Sequence, residues 1–433
     1  MKSIAKKIVV TILTIEARLI LKKYKPKIVA ITGTVGKTST KDMVYSVFSN
    51  FFYTRKSEKS FNGEIGIPLT IVGCDNAWSN LVLWLRNILK GLSLIILPHS
   101  YPDWLILEVG ADRPGDIKSV TKWLHPDITI ITRLSNIPVH VEFFKSAEEV
   151  KKEKTYLAKA LKSEGSLVLN ADDEDVLSIK ESVRNTDIWL FGHGPEAEVQ
   201  ATNYEISYED QEMPVPIGVS FKINQGNNTF PVMVKGSIGR QIISVTLAGF
   251  ASGFAAKLSP IKMLESIGNF LPPPGRMRLI RGVKGSTIVD DSYNSSPTAV
   301  AVALTTLKEI RTPGKKFAVL GDMMELGKHS AGAHQEIGKT IAEHADVLIT
   351  VGVRAREIAE VALQNRMDEK NIFQFEDSRE AGKKLELMLD KGDVALIKGS
   401  QAVRMERTVK EVMEDPLQSK ELLCRQDEEW LMR

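Results

Sequence analysis

The sequence predicts an α/β protein: a P-loop central domain with a mostly parallel sheet, then a C-terminal Rossmann-like α/β domain. Three observations carry that expectation. Short aliphatic runs alternate with helical patterns, as they do where parallel strands are joined by helical crossovers. One such run, Lys27–Thr32, leads directly into a glycine loop and a helical pattern. Three consecutive prolines, Pro272, Pro273 and Pro274, interrupt the alternation once, because proline cannot continue a helix. The chain therefore divides into a basic N-terminal helix (1–26), a central domain (27–271) and a C-terminal domain (272–433). Its 433 residues allow two or three domains at roughly 150 residues each.

The head carries seven cations against one acid, Glu16, so it is +6 while the whole chain is only +3 and the remainder −3. Its largely apolar run, residues 8–15, is followed by Glu16, Arg18 and further lysines rather than a small-residue cleavage site, which argues against a signal peptide. It is also far short of the ~20 apolar residues a spanning helix needs. Two readings remain: an amphipathic helix docked on the first domain, or one lying on an anionic membrane surface.

Strands follow at 27–32, 104–110 and 128–132, then a helix at 146–161 and a strand at 166–170. Residues 195–235 alternate apolar and polar side chains around turn signals such as Asn227-Asn228, which predicts an antiparallel patch. Beyond the prolines, strands are expected at 287–290, 317–320, 347–351 and 394–397. Residues 78–97 stand apart, because 13 of these 20 are large and apolar and none is acidic. Arg86 and Lys90 near its middle argue against a membrane span, leaving a buried domain helix or an interfacial helix. Arg86, Asn87 and Lys90 are expected to sit together, opposite the apolar stripe.

Composition narrows the function. With 43% apolar and 26% charged residues, long disorder is excluded. Two cysteines exclude a disulfide framework and a multi-thiolate metal site, and they suit a reducing cytoplasm. A net charge of +3 predicts no nucleic-acid partner.

The loop Thr32-Gly33-Thr34-Val35-Gly36-Lys37-Thr38-Ser39 follows a strand and opens a helix, the context in which backbone N–H groups cradle phosphates. Its glycines allow close approach, Lys37 can reach the β- and γ-phosphates, and the Thr38 hydroxyl can bind Mg²⁺. The glycine of the longer P-loop is replaced by Ile31, so this is a shortened form. The bland alternative, a glycine turn that happens to carry lysine, is weakened by the strand-to-helix setting.

Further segments follow in order: Asn62-Gly63-Glu64-Ile65-Gly66-Ile67-Pro68-Leu69-Thr70, Glu108-Val109-Gly110-Ala111, His140-Val141-Glu142 with Lys154 beyond it, Asp290-Asp291-Ser292-Tyr293-Asn294, Leu320-Gly321-Asp322-Met323-Met324-Glu325-Leu326-Gly327 and Lys398-Gly399-Ser400. With the shortened loop, this set resembles the Mur ligase family, the ATP-dependent amide-forming enzymes of peptidoglycan synthesis. The Asp-Asp-Ser-Tyr-Asn and Gly-Asp-Met segments are similar to the branch that joins D-Ala-D-Ala to a UDP-linked muramoyl-tripeptide.

The resemblance implies carboxylate activation by ATP through an acyl phosphate. It implies a nucleotide site at Gly33, Thr34, Gly36, Lys37, Thr38 and Ser39, completed from the C-terminal domain by Asn294, Asp291 and Arg276. It implies two Mg²⁺ ions, the first on Thr38 and Glu108, the second on His140 and a carbamylated Lys154. Lys37, His140 and Lys154 are the implied catalytic residues. Lys398 and Asp322 are expected on the C-terminal side of the cleft, and the proline stretch is expected to act as, or adjoin, a hinge. The implied partners are a muramoyl-peptide precursor and D-Ala-D-Ala or a related amine.

The sequence also departs from the family. Only about 26 residues precede the first strand, where the family places a UDP-binding domain. The family's His-Asn pair is replaced by the segment Gly239-Arg240-Gln241-Ile242-Ile243, and Gln401 stands where arginine is common. A lipid-linked or other non-UDP acceptor at the inner membrane face therefore stays open, as does a folylpolyglutamate synthase-like ligase. A P-loop switch protein is disfavoured, since it would leave His140, Lys154 and the C-terminal domain without a role.

Overall fold

A computed structural model describes residues 3–57, 62–78, 80–134, 144, 146–184, 186–209 and 212–432, with side chains from Lys7 onward. Strands that are apolar on both faces need helices on both sides, and the central unit supplies them in order. The elements are α1 (Ser3–Tyr24), β1 (Lys27–Thr32), α2 (Lys37–Ser49), β2 (Thr54–Lys56), α3 (Gly66–Val72), α4 (Leu81–Ile96), β3 (Trp104–Glu108), α5 (Asp116–Val120), β4 (Ile128–Ile131), α6 (Ala147–Lys159), β5 (Ser166–Asn170), α7 (Glu174–Leu177) and β6 (Asp187–Gly192). A meander of β7 (Val199–Tyr208), β8 (Pro216–Gln225) and β9 (Asn228–Lys235) follows, then α8 (Arg240–Ala255) and α9 (Pro260–Gly268). These strands form one sheet in the order β2-β3-β1-β4-β5-β6-β7-β8-β9, parallel through β7 and antiparallel at the β7–β8–β9 end.

Strand alternation assigns the two cores. Val29 and Ile31 face α2, α8 and α9, where Met43, Val47, Ile243 and Met263 are buried. Ile28 and Ala30 face the other way, onto Ala17 and Ile20 of α1, Ile71 of α3 and Leu157 of α6. The second sheet, after Pro272–Pro274, runs β10 (Arg278–Arg281), β11 (Thr287–Asp291), β15 (Val394–Lys398), β12 (Lys316–Gly321), β13 (Val347–Val351), β14 (Ile372–Phe375). Only β10 is antiparallel. The strands missing from the sequence reading are β2, β6, β10 and β14. Three of these lie at sheet edges or are very short, and their burial is partial, so their apolar pattern is weak.

The N-terminal helix is part of the central domain's core. Leu13, Ala17 and Ile20 are fully buried, and α1 runs beside α4 in the same direction: Glu16 meets Gly91, and Lys23 reaches the last turn of α4. The Lys23 Nζ donates to the carbonyls of Leu94 (2.8 Å), Ile95 (3.0 Å) and Leu97 (2.6 Å), satisfying the orphan acceptors of that helix end. One of the head's cations is therefore a structural cap.

Helix α4 departs from the expectation of a buried domain helix. It docks by a narrow strip, Trp84, Asn87, Gly91 and Leu94, flanked by the half-buried Ile88 and Ile95, and its other apolar side chains stay outside. Asn87 does not join Arg86 and Lys90 on a polar side; it is buried and donates to Asp75 O at 2.8 Å.

Glu16 is the costly residue of this helix pair. It is 3% exposed and neither carboxylate oxygen has a hydrogen-bond partner. It fits only because position 91 is glycine: a Cβ there would lie 2.2 Å from Glu16 Oε2. Burial pushes its carboxyl up to about 7. The neutral acid is the form the fold tolerates, so stability is full at acid pH and declines as pH rises through about 7. Glu16→Gln should raise the melting temperature at pH 8, by an effect of about 1 kcal/mol once solvent screening is allowed for, and leave it nearly unchanged at pH 5. Thermal melts at both pH values test this; no gain at pH 8 would refute it.

Candidate active site

The order β3-β1-β4 makes β1 a switch point, with its neighbours entered from opposite directions, so a crevice opens beyond the carboxyl ends of these strands. The glycine loop fills that crevice. At Gly33, φ is 144°, and a Cβ would fall 2.1 Å from Thr132 Oγ1, so only glycine fits. The loop is pinned to the end of β4 by Thr34 N–H donating to Arg133 O (2.6 Å) and Thr132 Oγ1 donating to Val35 O (2.7 Å). Lys37 then turns back over the loop, donating to Gly33 O at 2.9 Å and Thr34 O at 3.2 Å. Desolvation holds its ammonium below the usual range, partly offset by Glu108, while Arg276 lowers it further.

Glu108 ends β3 at the same crevice and is buried. Its Oε2 accepts from Thr38 Oγ1 at 3.0 Å and its Oε1 from Asn62 Nδ2 at 3.1 Å. A hydroxyl and a carboxylate are hard oxygen donors of the kind Mg²⁺ takes, and two protein ligands suit an ion that keeps waters and phosphate oxygens. Lys154, on the inward face of α6, is 4% exposed and lines the same small cavity of about 150 Å³ with Lys37, Glu108, Asp112 and Arg276. Burial first, and then the nearby Lys37 charge, push its ammonium down to about 7.

Its neighbours have other work. Lys151 pairs with Asp175 at 3.0 Å, and Lys152 is exposed. Glu153 accepts from Gly115 N–H and Lys118 N–H, both at 3.0 Å, holding the start of α5.

The C-terminal unit closes the other side. Asp291 and Lys398 end the paired strands β11 and β15 and form a buried ion pair at 2.7 Å, with Lys398 also donating to Asn294 O at 2.8 Å. Asp290 accepts from Gly275 N–H (3.0 Å) and Ser292 N–H (3.1 Å), which fixes the turn after the prolines. That turn aims Arg276 across the domain boundary. Its guanidinium stacks 4.1 Å from the Tyr293 ring centroid and donates to Thr38 Oγ1 at 3.3 Å.

Three cavities meet here in series. A larger one of about 350 Å³ lies between the domains, bounded by Thr34, Gly36, Ser39, Gln241, Arg276, Asp291 and Asn294. It shares Thr34, Gly36, Arg276 and Asn294 with the small cavity. The small cavity shares Asn62 and Asp112 with a third, of about 480 Å³, which also takes in Glu64, Asn76 and Arg113. Three buried oxygens in the walls of the cavity between the domains, Thr34 Oγ1, Gln241 Oε1 and Ser295 Oγ, have no hydrogen-bond partner. Buried polar atoms are rarely left so, and these mark where a polar ligand fits.

The structure thus gathers Gly33, Thr34, Gly36, Lys37, Thr38, Ser39, Glu108, Lys154, Arg276, Asp291 and Asn294 around adjoining cavities. His140 lies outside the described residues. Asp322 does not line these cavities; it accepts from Ala355 N–H at 2.7 Å and ties two C-terminal turns together. The sequence reading gave no role to Lys41, fully buried in α2, whose Nζ donates to Ser57 O at 2.7 Å just beyond β2. Its spacing of four from Lys37, one turn on the same helix face, was the available signal.

Residues 31–83 and 90–249 match the Mur ligase middle domain, and residues 275–401 match the domain described as Mur ligase, glutamate ligase domain. The chain is 25% identical over 402 residues to the UDP-N-acetylmuramoyl-tripeptide--D-alanyl-D-alanine ligase of Bacillus subtilis (strain 168), covering 93% of this chain and 79% of that one. It is 28% identical over 400 residues to the ligase of the same name from Buchnera aphidicola subsp. Acyrthosiphon pisum, covering 91% and 78%. The solved MurF ligase of Thermotoga maritima in complex with ADP superposes with a TM-score of 0.75 at 27% identity, covering 93% of this chain and 83% of that chain. Both family domains are present, in order, around the cavities just described, and the chain belongs to the Mur ligase family.

Proposed function

We propose that this chain is an ATP-dependent ligase of peptidoglycan-precursor synthesis that joins D-Ala-D-Ala to a muramoyl-tripeptide. The observation that carries this is the series of three cavities with Lys37, Thr38, Glu108, Lys154 and Arg276 around the middle one. The cavity between the domains would take the nucleoside of ATP, with Gln241, Ser295 and Thr34 supplying the acceptors and hydroxyls now without partners. Its phosphates would lie on the loop amides at the start of α2. The third cavity would bring the acceptor's carboxylate to the γ-phosphate, beside Arg113.

A carboxylate oxygen attacks the γ-phosphorus, the bond to the β-phosphate oxygen breaks, and ADP leaves. The amine of D-Ala-D-Ala then attacks the acyl carbon; inorganic phosphate leaves and the nitrogen loses a proton. Negative charge builds on phosphoryl oxygens and then on the tetrahedral oxygen, where fixed cations act most strongly. Lys37 and Arg276 supply that charge from opposite domains. Mg²⁺, held by Thr38 and Glu108 and at a second position by Lys154 and His140, would neutralise the same oxygens.

For Lys154 that role needs chemistry, because an ammonium cannot ligate a cation. A neutral amine attacks CO₂ and releases a proton, giving a carbamate with two oxygen donors. The depressed ammonium of Lys154, at about 7, leaves a large neutral fraction at physiological pH and so favours this reaction.

Pairing UDP-MurNAc-tripeptide or a lipid-linked acceptor with D-Ala-D-Ala or single amino acids, and weighing the products, tests the reading. The first pair should give the ATP-dependent product, and phosphate release independent of an amine would refute ligation. Lys154→Ala should lower turnover by about 100-fold or more, with partial recovery on adding formate or acetate. Wild-type turnover without the added acid would refute the carbamate. Arg276→Ala should lower kcat by about 10- to 100-fold, and Arg276→Lys should recover little, since lysine cannot both stack on Tyr293 and reach Thr38. Steady-state kinetics that find only KM altered would count against its role in the reaction.

A further inference from the structure

The outer face of α4 is apolar along its whole length. Leu81, Val82, Leu85, Leu89, Leu92 and Ile96 recur at helical spacing and are between 42% and 75% exposed. Beside them α1 exposes Ile8, Ile15 and Leu19. Monomeric soluble proteins rarely show so large a continuous apolar face without a binding role.

The charge that these two helices expose has one sign. Lys7, Arg18 and Lys22 on α1, and Arg86 and Lys90 on α4, are exposed. Neither helix exposes an acid: Glu16 is buried, and α4 has none. Among the described residues no helix is long and apolar enough to cross a membrane. An apolar stripe flanked by cations, on helices fixed side by side to a folded domain, has the build of an interfacial rather than a spanning element.

We propose that the α1–α4 face docks this protein on an anionic lipid bilayer, with the leucine stripe entering the interface and the cations meeting lipid headgroups. A protein partner or second copy would also cover apolar surface, but the exposed cations along both helices favour a broad anionic plane. This proposal concerns location and does not depend on the ligase chemistry.

The test is co-sedimentation of the full chain with vesicles of mixed phosphatidylglycerol and phosphatidylcholine, and with phosphatidylcholine alone. Binding should favour the anionic vesicles and weaken as salt rises. The double variant L85E/L89E should reduce it by about tenfold or more, and R18E/R86E by a similar factor. These side chains are exposed, so melting temperature and nucleotide binding should match wild type and exclude unfolding as the cause. Three results would overturn the proposal: no preference for anionic vesicles, binding unchanged in L85E/L89E, or light scattering that shows a wild-type dimer which this variant converts to monomer.

Discussion

Lys37, Lys154 and Arg276 converge on one small cavity, largely withdrawn from water, and the rest of the site is organised around keeping them there. For both lysines burial is the first cause of the depressed ammonium, and nearby acids only partly offset it. Such an arrangement is unfavourable in itself and becomes favourable when a polyanion arrives. Lys37 shows the resting compromise. It bonds its own loop carbonyls, acceptors that a phosphate can replace without moving the backbone. Glu108 is kept ordered by Thr38 and Asn62, so this buried carboxylate does not collapse onto a lysine.

The same constraint explains why two domains are needed. A single crevice at the ends of β3, β1 and β4 supplies cations from one side only. The turn after the prolines, fixed by Asp290, carries Arg276 in from the other side, and Tyr293 holds its guanidinium flat. Asp291 and Lys398 neutralise each other just behind, so the C-terminal wall is polar but brings little net charge of its own.

Much of this was legible in the sequence, for a physical reason. Lys27–Thr32, Ser166–Asn170 and Val347–Val351 are interior strands, apolar on both faces and bounded by turns, so their limits were read correctly. Strands β2 and β14 lack that signal because they sit at sheet edges with partly exposed side chains. The glycine loop announced its chemistry through order alone. Lys154 did not: Lys151-Lys152-Glu153-Lys154 has the composition of a solvated helix face. Helical phase turns Val150, Lys154 and Leu157 inward together, and only the spacing within the family's motifs singled out Lys154 from its neighbours. In α4 the count of apolar residues was informative, but it could not say which of them the domain would bury. That was set by Glu16 and Gly91, contacts between segments 75 residues apart in a chain read without its fold.

Helix α4 needs little of its own sequence to stay in place. Trp84 and Leu94 fill the interface, Asn87 and the Trp84 indole are hydrogen-bonded to backbone, and Lys23 closes the helix end. The outward leucines contribute nothing to that docking, so polar residues would serve the fold equally well there and would spare the protein an aggregation hazard. The leucines form the surface on which the proposed bilayer docking rests. Glu16 points the same way. A buried carboxyl without a partner weakens the contact between α1 and α4 at neutral pH, and a helix kept solely for stability would carry a neutral residue there. The pair thus has an inner strip built into the domain's core and an outer face that the core does not use.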